Sequence, residues 1–249
     1  MNQDIIYGIR ATNEAIDAGK EINKVLIQRG IQGDLFNQLK TQLELKQIPF
    51  QLVPYQKLNK LTDKNHQGVI AFVAPIEYFN LEQIVEELMT EQKAPLLLIL
   101  DRITDVRNFG SIARSAECMG VDAIIIPKRG AAQVTPDAIK TSAGSLTKIK
   151  VCREENLRDT LLLLQQYKIT IAGCSEKAKS SVYDQDLTSP IAIVFGSEED
   201  GISKEIYKRC DIDFTIPMLG EIASLNVAVS CGIALYEVCL LYTSDAADE

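Results

Sequence analysis

The sequence predicts an α/β protein in two parts: a small α/β domain, then a larger α/β domain with a mostly parallel sheet. Three observations predict it. Short apolar runs alternate with helical patterns along most of the 249 residues, the sequence form of strand, crossover helix, strand. The alternation breaks at Ala74-Pro75-Ile76. Apolar runs late in the chain, at 191–195 and 214–218, end in small polar residues that would converge if these strands are neighbours in a parallel sheet, and that is where open α/β sheets place their ligands.

The elements follow in order. Ile5-Ile6-Tyr7-Gly8 leads into a helical pattern that reaches Ala18-Gly19. Residues 24–28 read as a strand, 34–46 as a helix, 50–53 as a strand, 55–61 as a short helix and 68–73 as a strand. Residues 1–75 are therefore expected to form the small domain. Residues 76–94 form a linker with an acidic helix at 81–90. The second domain is expected over 95–241. Its strand candidates are 96–100, 123–126, 149–152, 169–173, 191–195 and 214–218. Thr135-Pro136 fits an N-cap and first helical position. Ala223-Ser224-Leu225-Asn226-Val227 opens a helical pattern that runs to Leu241. That pattern is apolar almost all round, so the helix must be buried, inside the subunit or between two subunits. Residues 242–249 lose the pattern and read as a frayed or non-native tail.

Composition bounds the function. The chain is 46% hydrophobic and 24% charged, an ordinary globular balance. Met1-Asn2-Gln3-Asp4 does not resemble the start of a signal peptide, and no uninterrupted apolar stretch reaches the length of a membrane span. Six cysteines without a CxxC pair, and a single His66, argue against a zinc site. The cysteines read as buried free thiols in a reducing, cytoplasmic compartment. The net charge of −8 argues against nonspecific nucleic-acid binding, but it is uneven. Residues 1–75 carry nine Lys and Arg against seven Asp and Glu; the remainder carries 17 against 27.

The loop Gly196-Ser197-Glu198-Glu199-Asp200-Gly201 offers three consecutive carboxylates and no cation. The chain has no GxGxxG and no GK[ST]. A pyrophosphate cofactor therefore fits poorly, and a cationic or phosphate-free ligand fits better. A solvated turn after a buried strand fits the loop taken alone. Arg107, Ser111 and Arg114 share one helical face, with Ile112, Ala113, Ala116 and Met119 on another. Asn108 or Ser111 falls near that helix start. On residue types alone the arginines are equally well solvated, and Ser224 and Asn226 equally well helix caps. His66, in a loop of the small domain, reads as structural, exposed or RNA-stacking before it reads as a proton shuttle.

Three stretches carry a resemblance. "LDRITDVRNFGSIARSAECMGVDAII", "VFGSEEDGIS" and "IPMLGEIASLNVAVSCGIALYE" resemble, in order, the three signature motifs of the SpoU/TrmH RNA 2′-O-ribose methyltransferases. "IYGIRATNEAI" and "GVIAFV" resemble the small L30-like substrate-binding domain that precedes some of their catalytic domains. The resemblance implies a SPOUT-type catalytic domain with a C-terminal trefoil knot, which generic topology rules would reject. It implies S-adenosylmethionine as cofactor, no metal, RNA as partner and a homodimer through the long C-terminal helix. It maps catalytic roles onto Asn108, Arg114, Glu198, Ser224 and Asn226. It maps the cofactor lining onto Gly196, Ile216, Met218, Leu225 and Val227. A guanidinium barely deprotonates, so Arg114 is expected to stabilise a developing alkoxide and grip a phosphate. The two-domain arrangement most resembles enzymes methylating a guanosine in bacterial large-subunit ribosomal RNA. A transfer-RNA guanosine methyltransferase comes second. A noncatalytic RNA-binding protein is a third reading, disfavoured by the intact polar residues. A nucleotide-dependent oxidoreductase is disfavoured by the missing dinucleotide fingerprint.

Overall fold

The computed structural model describes residues 5–222 and 224–245. The N-terminal residues 1–4, Ala223 at the head of the last helical pattern, and 246–249 of the expected tail lie outside the described residues. The chain divides into two compact units. One runs to Glu77 and takes in Val134–Pro136; the other holds Tyr78–Gln133 and everything from Asp137 onward.

The first unit contains β1 (Ile5–Tyr7), α1 (Ile9–Asp17), β2 (Ile22–Gln28), α2 (Asp34–Leu45), β3 (Phe50–Val53), α3 (Tyr55–Asn59) and β4 (Val69–Val73). Its four strands lie in the order β1-β4-β2-β3. β4 is antiparallel to both neighbours, and β2 is parallel to β3. Alternation along β2 and β4 sends Val25, Ile27, Val69 and Ala71 into one core with Ile16, Leu39 and Leu43 from α1 and α2. Leu26, Ile70 and Phe72 join a second cluster with Leu58 of α3. His66 is buried here. Its Nδ1 accepts from the Gly68 amide at 3.0 Å, so Nε2 carries the proton and donates to Asn59 Oδ1 at 2.8 Å. With both ring nitrogens engaged by its own domain, His66 is a loop anchor.

The second unit holds α4 (Leu81–Thr90), β5 (Leu96–Leu100), α5 (Val106–Cys118), β6 (Ala123–Pro127), α6 (Pro136–Thr141), β7 (Lys150–Glu154), α7 (Leu157–Gln166), β8 (Thr170–Cys174), β9 (Ile191–Phe195), α8 (Lys204–Tyr207), β10 (Ile212–Phe214) and α9 (Val227–Asp245). Its sheet runs β10-β8-β9-β5-β6-β7, and every pairing is parallel. β5 and β9 are buried at every position, so they read as unbroken apolar runs without alternation. One face packs Leu97, Ile99, Ile125 and Val194 against Ile84, Val85, Leu161 and Leu164 of α4 and α7. Among the described residues, no helix is long and apolar enough to cross a membrane.

The strand order reverses between β5 and β9. The chain lays down β5, β6 and β7 outward, crosses to β8, then inserts β9 beside β5. Leu100 pairs in register with Phe195, so the loops leaving β5 and β9 start side by side. This is the switch point at which open α/β sheets bind ligands.

Three expectations need correction. The run at 214–218 is not a strand throughout: β10 is Ile212–Phe214, and beyond it Thr215 makes a single bridge to Ser181. Pro217 lacks the amide a ladder needs, so pairing does not continue through it. Nor are β9 and β10 neighbours, since β8 lies between them. The last helix begins at Val227 and passes Leu241 to reach Asp245. No Gly or Pro lies between Gly232 and Asp245, and extending a formed helix is easy.

Candidate functional site

A cavity of about 790 Å³ opens at the carboxyl ends of the second sheet. Its walls come from the segments after β5, β8, β9 and β10 and from the approach to α9. All five residues expected around a cofactor, Gly196, Ile216, Met218, Leu225 and Val227, line it, as do Glu198 and Ser224. Val227 is buried, Ile216 is half-buried, and Met218 and Leu225 are partly exposed at 37% and 39%. Apolar side chains and the carboxylate loop thus both contribute to the cavity lining.

The loop after β9 is shaped by close backbone approach. A Cβ on Gly196 would stand 1.9 Å from the Gly201 carbonyl carbon and 2.0 Å from the Ile202 nitrogen, so only glycine fits. Ser197 and Gly201 exchange backbone bonds of 3.1 and 2.9 Å, and the Asp200 amide donates to Ser197 Oγ at 3.2 Å. Gly201 turns the chain at φ +69. Glu198, Glu199 and Asp200 stay exposed around this closed ring.

Asn226 ties three segments together. Its Oδ1 accepts from the Ala228 and Val229 amides at 2.9 and 3.3 Å, capping α9. Its Nδ2 donates to Asn108 Oδ1 at 3.0 Å and to Glu198 Oε1 at 2.8 Å. Asn108 occupies the first turn of α5, which is capped by Asp105: Asp105 Oδ1 accepts from the Arg107 and Asn108 amides at 2.9 and 2.8 Å. Gly110 then lets α5 lie against α6, where a Cβ would meet Thr141 at 2.8 Å and the Ala138 carbonyl at 3.0 Å. Three of the residues expected to be catalytic therefore form one bonded group beside the cavity. Arg114 stands apart on an exposed face of α5 and, among the described residues, holds no hydrogen bond or ion pair.

Sequence reasoning missed two features. Asp105 was not singled out as the α5 cap, although Asp three residues before Asn108 at the head of a helical pattern is the usual signal. The carboxylate loop also does not lack a cation: Arg102, from the end of β5, donates to Asp200 Oδ2 at 3.1 Å and to the Gly201 carbonyl at 3.0 Å. That contact spans 98 residues, and no local pattern announces it.

An Asn226→Ala variant should weaken the protein by about 1 kcal/mol through the lost cap. It should also lower turnover, because Asn108 and Glu198 lose their shared donor. An Asn156→Ala variant removes the cap of α7, where Asn156 Oδ1 accepts from the Arg158 amide at 2.9 Å, without touching that group, so comparing the two by denaturation and turnover separates capping from chemistry.

The cysteines divide by environment. Cys152 and Cys231 are buried, Cys174 and Cys210 half-buried, and Cys118 is exposed, contrary to the expectation that all would be buried. Burial, with help from Glu154, pushes the Cys152 thiol up to about 12. Burial and Glu176 do the same for Cys174, which lines the cavity, and burial with Asp211 and Asp213 for Cys210. Such thiols stay protonated and unreactive near neutrality. Iodoacetamide at pH 8 should therefore alkylate Cys118 well before Cys174, read by peptide mass spectrometry. Thiol pKa values raised by folding contribute stability below about pH 9 that is lost as pH rises toward 12, so the denaturation midpoint should fall over that range.

A parallel sheet carrying a cavity at its switch point, with an Asn-Glu-Asn group bonded beside it, is the arrangement of α/β domains whose ligand sites lie beyond the carboxyl ends of the strands. Sequence comparison identifies the class: the model of the SpoU rRNA Methylase family matches residues 95–236, and a model described as RNA 2′-O ribose methyltransferase substrate binding matches residues 5–79. The chain belongs to the SpoU family of RNA methyltransferases. A protein of Staphylococcus saprophyticus named as a TrmH family tRNA/rRNA methyltransferase is 37% identical over 238 residues, 96% of each chain. One of Staphylococcus haemolyticus with the same name is 36% identical over the same share. Among solved structures, the SpoU methyltransferase AviRb from Streptomyces viridochromogenes, in complex with the cofactor AdoMet, matches with a TM-score of 0.62 at 24% identity, covering 97% of this chain and 91% of that one. An AdoMet-bound rRNA methyltransferase from Sinorhizobium meliloti matches at 0.60 and 21% identity, covering 94% and 85%. At these identities the structural likeness is one of fold.

Proposed function

We propose that this protein transfers a methyl group from S-adenosylmethionine to a ribose 2′-hydroxyl of RNA, with a guanosine of large-subunit ribosomal RNA as its target. The observation that carries the reading is the Asn226 group, which joins Asn108 and Glu198 beside a cavity of about 790 Å³, roomy enough for an adenosyl group. The cavity suits this cofactor. Ile216, Leu225 and Val227 give an apolar wall for a purine, while Glu198 and Glu199, outside the Arg102–Asp200 pair, leave carboxylates at the cavity for a cationic ligand. When bound, S-adenosylmethionine supplies an electrophilic methyl group on a sulfonium centre.

The chain supplies position and electrostatics. Asn226 holds Glu198 and Asn108 in place, and Ser224 stands with Glu198 at the cavity wall. Arg114, unpartnered among the described residues, is free to meet RNA. Its planar guanidinium would grip a backbone phosphate and stabilise negative charge growing on the ribose oxygen. Most of the acceleration would come from holding the two reactants in line.

The unit matched as substrate-binding carries the basic excess of residues 1–75 and would select the RNA. Val229, Tyr236 and Leu240 stand exposed on one stripe of α9, at 50%, 53% and 43%. That apolar stripe suits a homodimer through α9. A charge placed there, Val229→Lys, should shift the sedimentation of the protein toward monomer.

Transfer RNA is the second target reading, favoured by relatives whose names give both RNA classes. Mapping ribose methylation across ribosomal and transfer RNA, in cells with and without the protein, decides between them. Calorimetry with S-adenosylmethionine and NAD tests the cofactor: NAD bound tightly, with no response to S-adenosylmethionine, would sink the reading.

A further inference from the structure

We propose that Arg102 is a positioning residue that latches the carboxylate loop shut over the cavity and so sets cofactor affinity. The affinity half of this inference rests on the cofactor reading above; the latch itself does not. Arg102 directly follows Asp101 at the end of β5 and adopts φ +61, a left-handed conformation that glycine takes far more easily. From there its guanidinium reaches the loop after β9. Nη1 donates to Asp200 Oδ2 at 3.1 Å and Nη2 to the Gly201 carbonyl at 3.0 Å. Nε is buried and lies 3.5 Å from Asp101 Oδ1. Asp101 is itself only 4% exposed, and its Oδ2 accepts from the Ser203 amide at 2.6 Å. Two successive residues of β5's exit thus hold the loop at Asp200, Gly201 and Ser203.

The geometry assigns the work to the fork rather than to the charge. Asp200 is 69% exposed, and an ion pair that open to water contributes little by itself. The bond to the Gly201 carbonyl is different, because Gly201 closes the loop through its two bonds with Ser197. A planar guanidinium can hold a carboxylate and a carbonyl together while backed by a buried carboxylate; a lysine offers one point charge. The loop supplies Gly196, Ser197 and Glu198 to the cavity wall. If the latch opens, the share of molecules able to bind falls, and apparent affinity falls with it.

The test uses the full chain in two readings. Amide hydrogen exchange without ligand follows Ser197 and Gly201, whose amides are bonded within the loop, with Ser203 as internal reference because Asp101 still holds it. Calorimetry then measures S-adenosylmethionine binding. Arg102→Gly should keep the melting temperature or raise it, since glycine relieves the left-handed backbone. It should also speed exchange at Ser197 and Gly201, and raise the cofactor Kd about tenfold if the closed share drops to about a tenth. Arg102→Lys should recover only part of this. Adding Asp200→Asn to Arg102→Gly should weaken binding no further. Unchanged exchange at Ser197 and Gly201 overturns the latch, whatever happens to the cofactor. A fall in melting temperature with faster exchange throughout, Ser203 included, also overturns it, by making Arg102 an ordinary stabilising residue. Faster loop exchange in a protein whose wild type fails to bind S-adenosylmethionine supports the latch and removes the cofactor reading instead.

Discussion

Arg114→Ala should leave cofactor affinity nearly intact while cutting single-turnover methyl transfer by about 100- to 1000-fold, the usual cost of losing one preorganised donor to developing charge. The geometry separates the two effects. Cofactor-facing residues lie on the segments after β9 and β10 and at the start of α9, whereas Arg114 projects from the exposed face of α5 and lies outside the cavity wall. Arg114→Lys should not restore the rate, because a point charge cannot reproduce a planar two-pronged donor. Near wild-type turnover in the alanine variant removes the arginine from the mechanism. A folded variant that no longer binds S-adenosylmethionine would place it in the adenosyl pocket.

Gly196→Ala carries the second large effect, and here cofactor binding is lost first. The added methyl would enter the backbone of Gly201 and Ile202 at about 2 Å, and no side chain stands there to give way. Overpacking of this kind costs about 1–3 kcal/mol or more in stability. The atoms it meets belong to the far side of the same loop, so the loop should open. A loss of about 100-fold in cofactor affinity is expected, equivalent to roughly 2.8 kcal/mol at 1.4 kcal/mol per decade. Gly220→Ala is the control, since a Cβ there meets nothing within 4 Å. Calorimetry on the two variants beside denaturation curves reads the result. Wild-type affinity in Gly196→Ala would show that the loop does not shape the pocket.

Much of the fold was legible in the chain because its strands are short, apolar and separated by helical patterns. β5 and β9 are buried on both faces, so their five-residue runs stand out without any partner being known. β10 was misplaced for the opposite reason. Asp213 interrupts it and bonds to the Tyr207 hydroxyl, while the more apolar 214–218 stretch contains a proline that no ladder accepts beyond its edge. The boundaries of α9 also shifted. Its start is fixed by the Asn226 side chain turning back onto the Ala228 amide, a choice that the equally suitable Ser224 left open in the sequence.

The sequence by itself determined the α/β class, the two-part organisation of its patterns and the three motifs. Those are properties of local spacing and residue type, which a chain carries before it folds. Only the tertiary structure decided that β8 separates β9 from β10, that Asn226 joins Asn108 across 118 positions, and that Arg102 supplies the cation the carboxylate loop lacks. The physical reason is the same in each case. Strand order and side-chain partnership depend on which distant segments the sheet brings together, and hydrogen-bond geometry is satisfied only after that choice is made.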